Sequence, residues 1–307
     1  MTLQQLKYIL AIVHCGSISE AAKQLYISQP SLSSAVKEIE EEFGIEIFVR
    51  SPKGIALTSE GIEFLAYARQ VVEQAELMEQ RYLNKRPSRK LCSISTQHYA
   101  FAVQAFVALM KTLGETEYEC TLRETRTHEI IEDVRNLRSE IGILYLSEFN
   151  RKVIAKLLRD HDLKFHPLFT AKPHVFISVH HPLANRELLE MDELDEYPCL
   201  VFEQGEYNSF YFAEEILSTR SYRKKILVSD RATLFNLLIG LNGYTISSGV
   251  LNQDVYGGLI KPVRLKTDED MLIGYITNQK TSLSRLGQLY VEKLKEVVAR
   301  AGHELLS

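Results

Sequence analysis

At 307 residues, with 45% hydrophobic and 25% charged side chains, the chain has the length and apolar content for two or three domains with sizeable cores, in the composition of a soluble globular protein. A formal net charge of −4 excludes a global basic field, so any nucleic-acid contact has to be concentrated on one face. No apolar run is long enough to cross a bilayer, and the first residues lack the basic start, apolar core and small-residue cleavage site of a signal peptide, so a cytoplasmic protein without membrane contact is expected.

Residues 2–14 are predicted as a helix with Leu3, Leu6, Ile9, Leu10 and Val13 inward, ended by Gly16. A second, short helix carries Ala21 and Ala22, small residues that let another helix cross closely. After Tyr26-Ile27-Ser28 a third helix starts at Gln29. Ser28 is placed to accept from its free N–H groups, and Pro30 sits in the first turn, where a missing donor costs little. This helix turns Leu32, Val36, Ile39 and Phe43 inward. The opposite face carries Pro30, Ser33, Ser34 and Lys37, with Gln29 and Ser31 in the first turn. Small hydroxyls and one lysine can enter a DNA major groove and reach both base edges and phosphates. Gly44 ends the helix. Residues 45–49 and 55–58 then read as a two-stranded wing whose tip presents Arg50 and Lys53 for backbone or minor-groove contact. The acids of this region, among them Glu38, Glu40, Glu41 and Glu42, outnumber its basic residues, so weak nonspecific binding is expected unless two copies combine.

Residues 59–85 are predicted as one long helix. Phe64, Ala68, Val71, Ala75, Met78 and Tyr82 recur every three or four residues, with Leu65 and Val72 widening the stripe. A second copy of the same helix would cover it; packing on its own domain is the other solution. Lys85-Arg86-Pro87-Ser88-Arg89-Lys90 reads as a proline-broken hinge.

From Leu91 strands and helices alternate, the pattern of an α/β domain with largely parallel sheets. Strands are expected near 91–95, 118–124 and 141–145, and helices near 99–113, 128–138 and 150–161. Strands near 163–169 and 174–179 follow, then a turn at His180-His181-Pro182. Strands near 199–202, 225–228 and 244–247 build a second subdomain, and residues 271–277 with a helix over 282–301 return to the first. The expected division is 1–58, 59–90 and 91–307, with subdomain one at about 91–162 and 268–307 and subdomain two at about 163–267. In such sheets a ligand sits beyond the carboxyl ends of the strands. The residues there are Ser95, Thr96, Gln97, Arg126, Tyr145, Phe202, Glu203, Ser247 and Ser248, where helix-start N–H groups, hydroxyls and a guanidinium can hold a carboxylate or another anion.

Catalytic signatures are missing: there is no GxSxG, HExxH or phosphate-binding loop, so no enzyme activity and no cofactor are expected. Cys15, Cys92, Cys120 and Cys199 are far apart, with no CxxC or Cys/His cluster. No metal site is expected, and the thiols should be reduced. His180 and His181 read as solvent-facing turn residues.

The order of motifs AxxL, SQPSLS, E-I-E, FGIEIFVR and LTSEG resembles the N-terminal winged helix-turn-helix of LysR-type transcriptional regulators. The His-Pro-Leu-Ala turn followed by Leu189 and Asp192-Glu193-Leu194 is similar to their effector domain, itself similar to periplasmic binding proteins. The resemblance implies a winged helix-turn-helix, a long linker helix and a two-subdomain effector domain. It also implies double-stranded DNA, a small-molecule effector, a second copy through the linker helix and RNA polymerase as partners. Thr96-Gln97-His98-Tyr99 resembles members that control sulfur amino acid metabolism, which points no further than an amino acid or small carboxylate. The segment at Gly243-Tyr244-Thr245-Ile246-Ser247 departs from the family in lacking a proline after its strand. On residues alone a second reading stays open, a cytosolic small-molecule-binding protein whose N-terminal module serves assembly only.

Overall fold

The computed structural model describes residues 1–51, 54–83, 90–115, 117–251 and 258–306. Lys53, the side chain of Arg50 and hinge residues 85–89 lie outside them. The chain divides into two compact units, Met1–Ser88 and Arg89–Ser307.

The first unit opens with α1 (Leu3–Cys15), whose start is fixed by a reciprocal pair: Thr2 accepts from the Gln5 N–H and the Gln5 side chain accepts from the Thr2 N–H. Gly16 closes it in the left-handed conformation. Next come α2 (Ile18–Gln24), α3 (Gln29–Phe43), a wing of β1 (Phe48–Ser51) and β2 (Gly54–Leu57), and the 25-residue α4 (Ser59–Leu83). Ser28 caps α3 by accepting from the Ser31 N–H at 3.2 Å, a bond of a kind that contributes about 1 kcal/mol. Leu6, Ile9, Ile12, Ala21, Ala22, Leu32, Val36 and Ile39 form the core. The wing is tied to α3 through Glu40, whose carboxylate accepts from the Ile47 and Phe48 N–H groups at 2.7 and 3.1 Å. Gly61 is required at the wing's base, because a Cβ there would meet the Ile47 carbonyl oxygen at 2.2 Å.

Phe43, expected inside, is 47% exposed and meets Phe64 edge-on. The last turn of α3 runs past the core, so position four of its stripe has little to pack on. The α4 stripe likewise divides. Leu65, Ala68 and Val72 enter the core, whereas Tyr67, Val71, Met78 and Tyr82 are exposed.

The second unit holds two layers. Its five-stranded sheet has the order β4 (Tyr118–Glu124), β3 (Lys90–Thr96), β5 (Ile141–Leu146), β13 (Met271–Asn278), β6 (Leu163–Ala171). The first three are parallel, and β13 runs antiparallel to both neighbours. Helices α5 (Ala100–Leu113), α6 (Thr127–Arg135) and α7 (Arg151–Asp160) flank it, and α9 (Arg285–Arg300) packs against α5. The four-stranded sheet has the order β11 (Thr245–Ser247), β7 (His174–Ser178), β12 (Ile260–Leu265), β8 (Leu188–Leu189). A parallel pair, β9 (Cys199–Phe202) and β10 (Lys225–Val228), lies beside it, and α8 (Arg231–Leu241) packs on β7 and both strands of that pair.

Three expectations change here. β6 is an edge strand of the first sheet along its whole length, so the crossing between subdomains falls after Ala171 and not at residue 163. Alternation of burial along a strand does not say which sheet it joins. Both α8 and β12 went unpredicted: the apolar residues of α8 surround it too evenly for a helical stripe to show, and Pro262 reads against a strand. The sheets are mixed, because the two returning strands enter antiparallel.

Candidate functional site

Glu38, Glu41, Glu42 and Phe43 of α3 are exposed, and so are the predicted groove residues Gln29, Pro30, Ser31, Ser34 and Lys37, with Ser33 half-buried. Two of the groove residues serve the fold locally. Gln29 accepts from the Ser19 hydroxyl at 3.0 Å, which ties α2 to α3, and the Ser31 hydroxyl lies 2.7 Å from that of Ser28. Pro30, Ser34 and Lys37 remain as a continuous outward row. Lys37 sits 3.3 Å from the Glu41 carboxylate one turn on, with both side chains mostly in solvent, a pairing weak enough for a phosphate to replace. Tyr26, read from sequence only as a connection, stands 95% exposed at φ 55° in the turn ahead of α3. Its left-handed backbone is the one signal that could have singled it out, and that signal is not in the sequence.

In the second unit a cavity opens between the two layers, lined by His98, Tyr99, Phe176, Phe202, Glu214 and Ser247, among others. Of the residues expected to hold an effector, Phe202 and Ser247 line it. Phe202 stacks flat on His98, with centroids 3.8 Å apart. Arg126 and Glu203 pair with each other instead of awaiting a ligand, and Arg126 also donates to Glu129 at 3.2 Å. The rest are engaged by the protein itself. Ser95 donates to Asp133 at 2.7 Å and lies 2.9 Å from the Ser139 hydroxyl; Thr96 donates to the Gln97 carbonyl. Gln97 spans the Thr127 hydroxyl and the Tyr145 N–H; Tyr145 donates to the Ala213 carbonyl; Ser248 accepts from the Val250 N–H. The physical reason is the start of α5. It begins at Ala100, with Tyr99 as its N-cap, and not beside Thr96, so the hydroxyls of Ser95 and Thr96 fall inside and the main-chain donor that faces the cleft ahead of the helix is the His98 N–H.

That donor is occupied. The Glu214 carboxylate accepts from the His98 N–H at 2.9 Å, and its oxygens lie 2.9 and 3.0 Å from His98 Nδ1. Burial opposes a charged imidazole, but the hydrogen bond to Glu214 and its charge outweigh this and raise the His98 pKa. Burial, then the neighbouring Glu214, push the Glu215 carboxyl up to about 8. A second ion pair, Arg231 with Glu124 at 3.3 Å, lies behind them. His98, Tyr99, Glu214, Glu215 and Arg231 were all missed as site residues. Only His98 and Tyr99 carried a signal, in the Thr96-Gln97-His98-Tyr99 motif.

Among the described residues no group of three or more His, Cys, Asp or Glu side chains is arranged to hold a metal ion, and no helix is long and apolar enough to cross a membrane. His181, expected in solvent, is buried: its Nδ1 accepts from the Leu183 N–H and its Nε2 lies 3.1 Å from the Asn242 carbonyl. It ties the His-Pro turn to the end of α8.

Two family models match this chain. One is the bacterial regulatory helix-turn-helix protein of the lysR family, over residues 3–62. The other is the LysR substrate binding domain, over residues 90–299. The chain belongs to the LysR family. It is a transcriptional regulator with a DNA-binding helix-turn-helix and an effector-binding domain. This LysR-type chain is 26% identical over 217 residues to the uncharacterized regulator YvbU of Bacillus subtilis, covering 68% of this chain and 69% of that one. It is 25% identical over 258 residues to the regulator CysL of the same organism, covering 81% and 82%. Among solved structures it resembles a cysteine mutant of OxyR from Corynebacterium glutamicum, with a TM-score of 0.53 and 20% identity over 98% of this chain and 92% of that one. At that identity the likeness concerns the fold.

Proposed function

We propose that α3 reads a DNA major groove through Pro30, Ser33, Ser34 and Lys37, with Gln29 and Ser31 at its entry and Arg50 and Lys53 of the wing on the backbone. The observation that carries this is the two-faced character of α3. Leu32, Val36 and Ile39 are buried on one side, and an outward row of small polar groups and one lysine lies on the other. Two copies pair through α4, because Tyr67, Val71 and Met78 leave an apolar face that its own head does not cover. Pairing doubles the phosphate contacts available to a head that is not basic overall.

The effector, a small polar metabolite of the amino acid or carboxylate kind, binds in the cleft lined by His98, Phe202 and Ser247. By favouring one arrangement of the two subdomains it shifts the population of DNA-binding geometries. The protein works in the cytoplasm on double-stranded DNA, with RNA polymerase as the downstream partner. The test is fluorescence anisotropy on duplex DNA from upstream of its own coding region, against a scrambled duplex, across a salt series. Binding to the native duplex that survives salt which strips the scrambled one is expected. Equal, salt-sensitive binding to both, together with an empty genome-wide selection of bound fragments, would leave the assembly-module reading of the N-terminal unit in its place.

A further inference from the structure

The cleft is filled from within. Glu214 reaches across from the layer of β9 and sets its carboxylate on the His98 N–H and imidazole, two residues ahead of α5. Gln204 Nε2 approaches the other oxygen at 3.4 Å. The side chains of both His98 and Glu214 are 5% exposed. Beside them the Gln204 side-chain amide oxygen accepts at 3.2 Å from the N–H of Thr127, the first residue of α6. The starts of both helices thus receive acceptors from the opposite subdomain. A free main-chain donor ahead of a helix, joined to an imidazole whose charged form is favoured, is a receptor for a carboxylate. Here the carboxylate belongs to the chain.

Two further observations show that the site is built for something else as well. With Glu214 in place the space left in the cleft is small, about 30 Å³. The Tyr99 hydroxyl, on the same wall and in a residue only 4% exposed, is buried without a hydrogen-bond partner. Buried hydroxyls are ordinarily paired, so this one keeps a donor for which the chain supplies no acceptor. Alongside, burial and the neighbouring Glu214 push the Glu215 carboxyl up, which favours its neutral form.

We propose that Glu214 is a tethered ligand of this cleft, and that the effector is a small carboxylate that takes its place on His98 and pairs with the Tyr99 hydroxyl, freeing Glu214 and loosening the contact between the subdomains. The proposal rests on the reading of this cleft as the effector site.

Acetate is the probe. In full-length Glu214→Ala, acetate binding is followed by calorimetry and by thermal shift at fixed ionic strength, with sulfate and methylamine as controls. Glu214→Ala is expected to bind acetate at least tenfold more tightly than the wild-type chain, with a saturable rise in Tm, and His98→Ala in the same background to abolish the difference. Glu214→Gln, which keeps the shape of the cleft but gives a poorer partner for His98, is expected to gain several-fold, and it decides the matter if the alanine variant does not fold. Equal acetate binding by variant and wild type, or a response to methylamine in place of acetate, overturns the proposal, and a response to sulfate alone replaces carboxylate recognition with that of a tetrahedral anion. Neither readout involves DNA. Normal acetate binding with no effect of any carboxylate on DNA affinity would therefore remove the effector reading and leave the tethered ligand standing.

Discussion

The imidazole of His98 lies on the ring of Phe202, planes 5° from parallel and centroids 3.8 Å apart, and it joins two subdomains whose contributing residues are about a hundred positions apart in the chain. The same imidazole is held at its edge by Glu214. One side chain thereby carries both an apolar and a charged link across the cleft.

Phe202→Ala removes the apolar link. Phe202 is half-buried, and stacked aromatic pairs contribute about 0.5–1.5 kcal/mol beyond area. The variant should lose about 2 kcal/mol of stability in the second unit, read by urea unfolding. The first unit, which has its own core, should unfold unchanged.

Glu215 gives the cleft a pH dependence. Its pKa is raised from an ordinary 4.5 to about 8. Its stabilising balance is therefore intact below pH 4.5 and is lost as pH rises through about 8, because the unfolded carboxyl ionises first. The raised pKa of His98 works in the same direction, so the comparison has to be made against the wild-type chain. Glu215→Gln keeps an acceptor for the Phe202 N–H. It should flatten the fall in Tm between pH 6 and 8, recovering up to about 4 kcal/mol at pH 8. An unchanged slope would mean that Glu215 is not buried as a neutral acid.

Lys37→Ala should weaken binding to all duplexes by a similar factor and lower the salt slope of the logarithm of affinity by about 1 per head. Ser34→Arg should instead change which duplexes are preferred, since Ser34 is exposed in the middle of the outward row. Untouched sequence preference in Ser34→Arg would place the groove face elsewhere.

Val71→Glu tests the pairing of α4. Val71 is 46% exposed, and its neighbour Val72 is 5% exposed. The charge should shift sedimentation from dimer to monomer with a change in head stability within about 0.5 kcal/mol. Val72→Ala should cost about 2 kcal/mol in the head and leave assembly unaltered.

Burial pushes the Cys92 and Cys199 thiols up to about 12. Thiolate is the reactive form, so neither should be alkylated by iodoacetamide in the folded protein at pH 7.5. Mass spectrometry should find the label at half-buried Cys15, more slowly at Cys120, and at all four only after unfolding.

The head is legible in local sequence signals. Cap residues, left-handed glycines and three-to-four spacing act within a dozen residues, so Ser28, Leu32, Val36, Ile39 and Gly44 announce α3 and its faces directly. So are the alternation of the second unit and the loops around the cleft, because strands and helix starts are local as well. Which side chains of those loops are available depends on packing between distant segments. Ser95 and Gln97 are hydroxyl and amide at the right place in the chain, yet both are consumed by partners on α6 and β5. The group that meets the His98 N–H, Glu214, comes from 116 residues away. A partner chosen by packing at that separation leaves no periodic trace in the sequence, because what selects it is the shared burial of donor and acceptor and not any preference of either residue for its own segment.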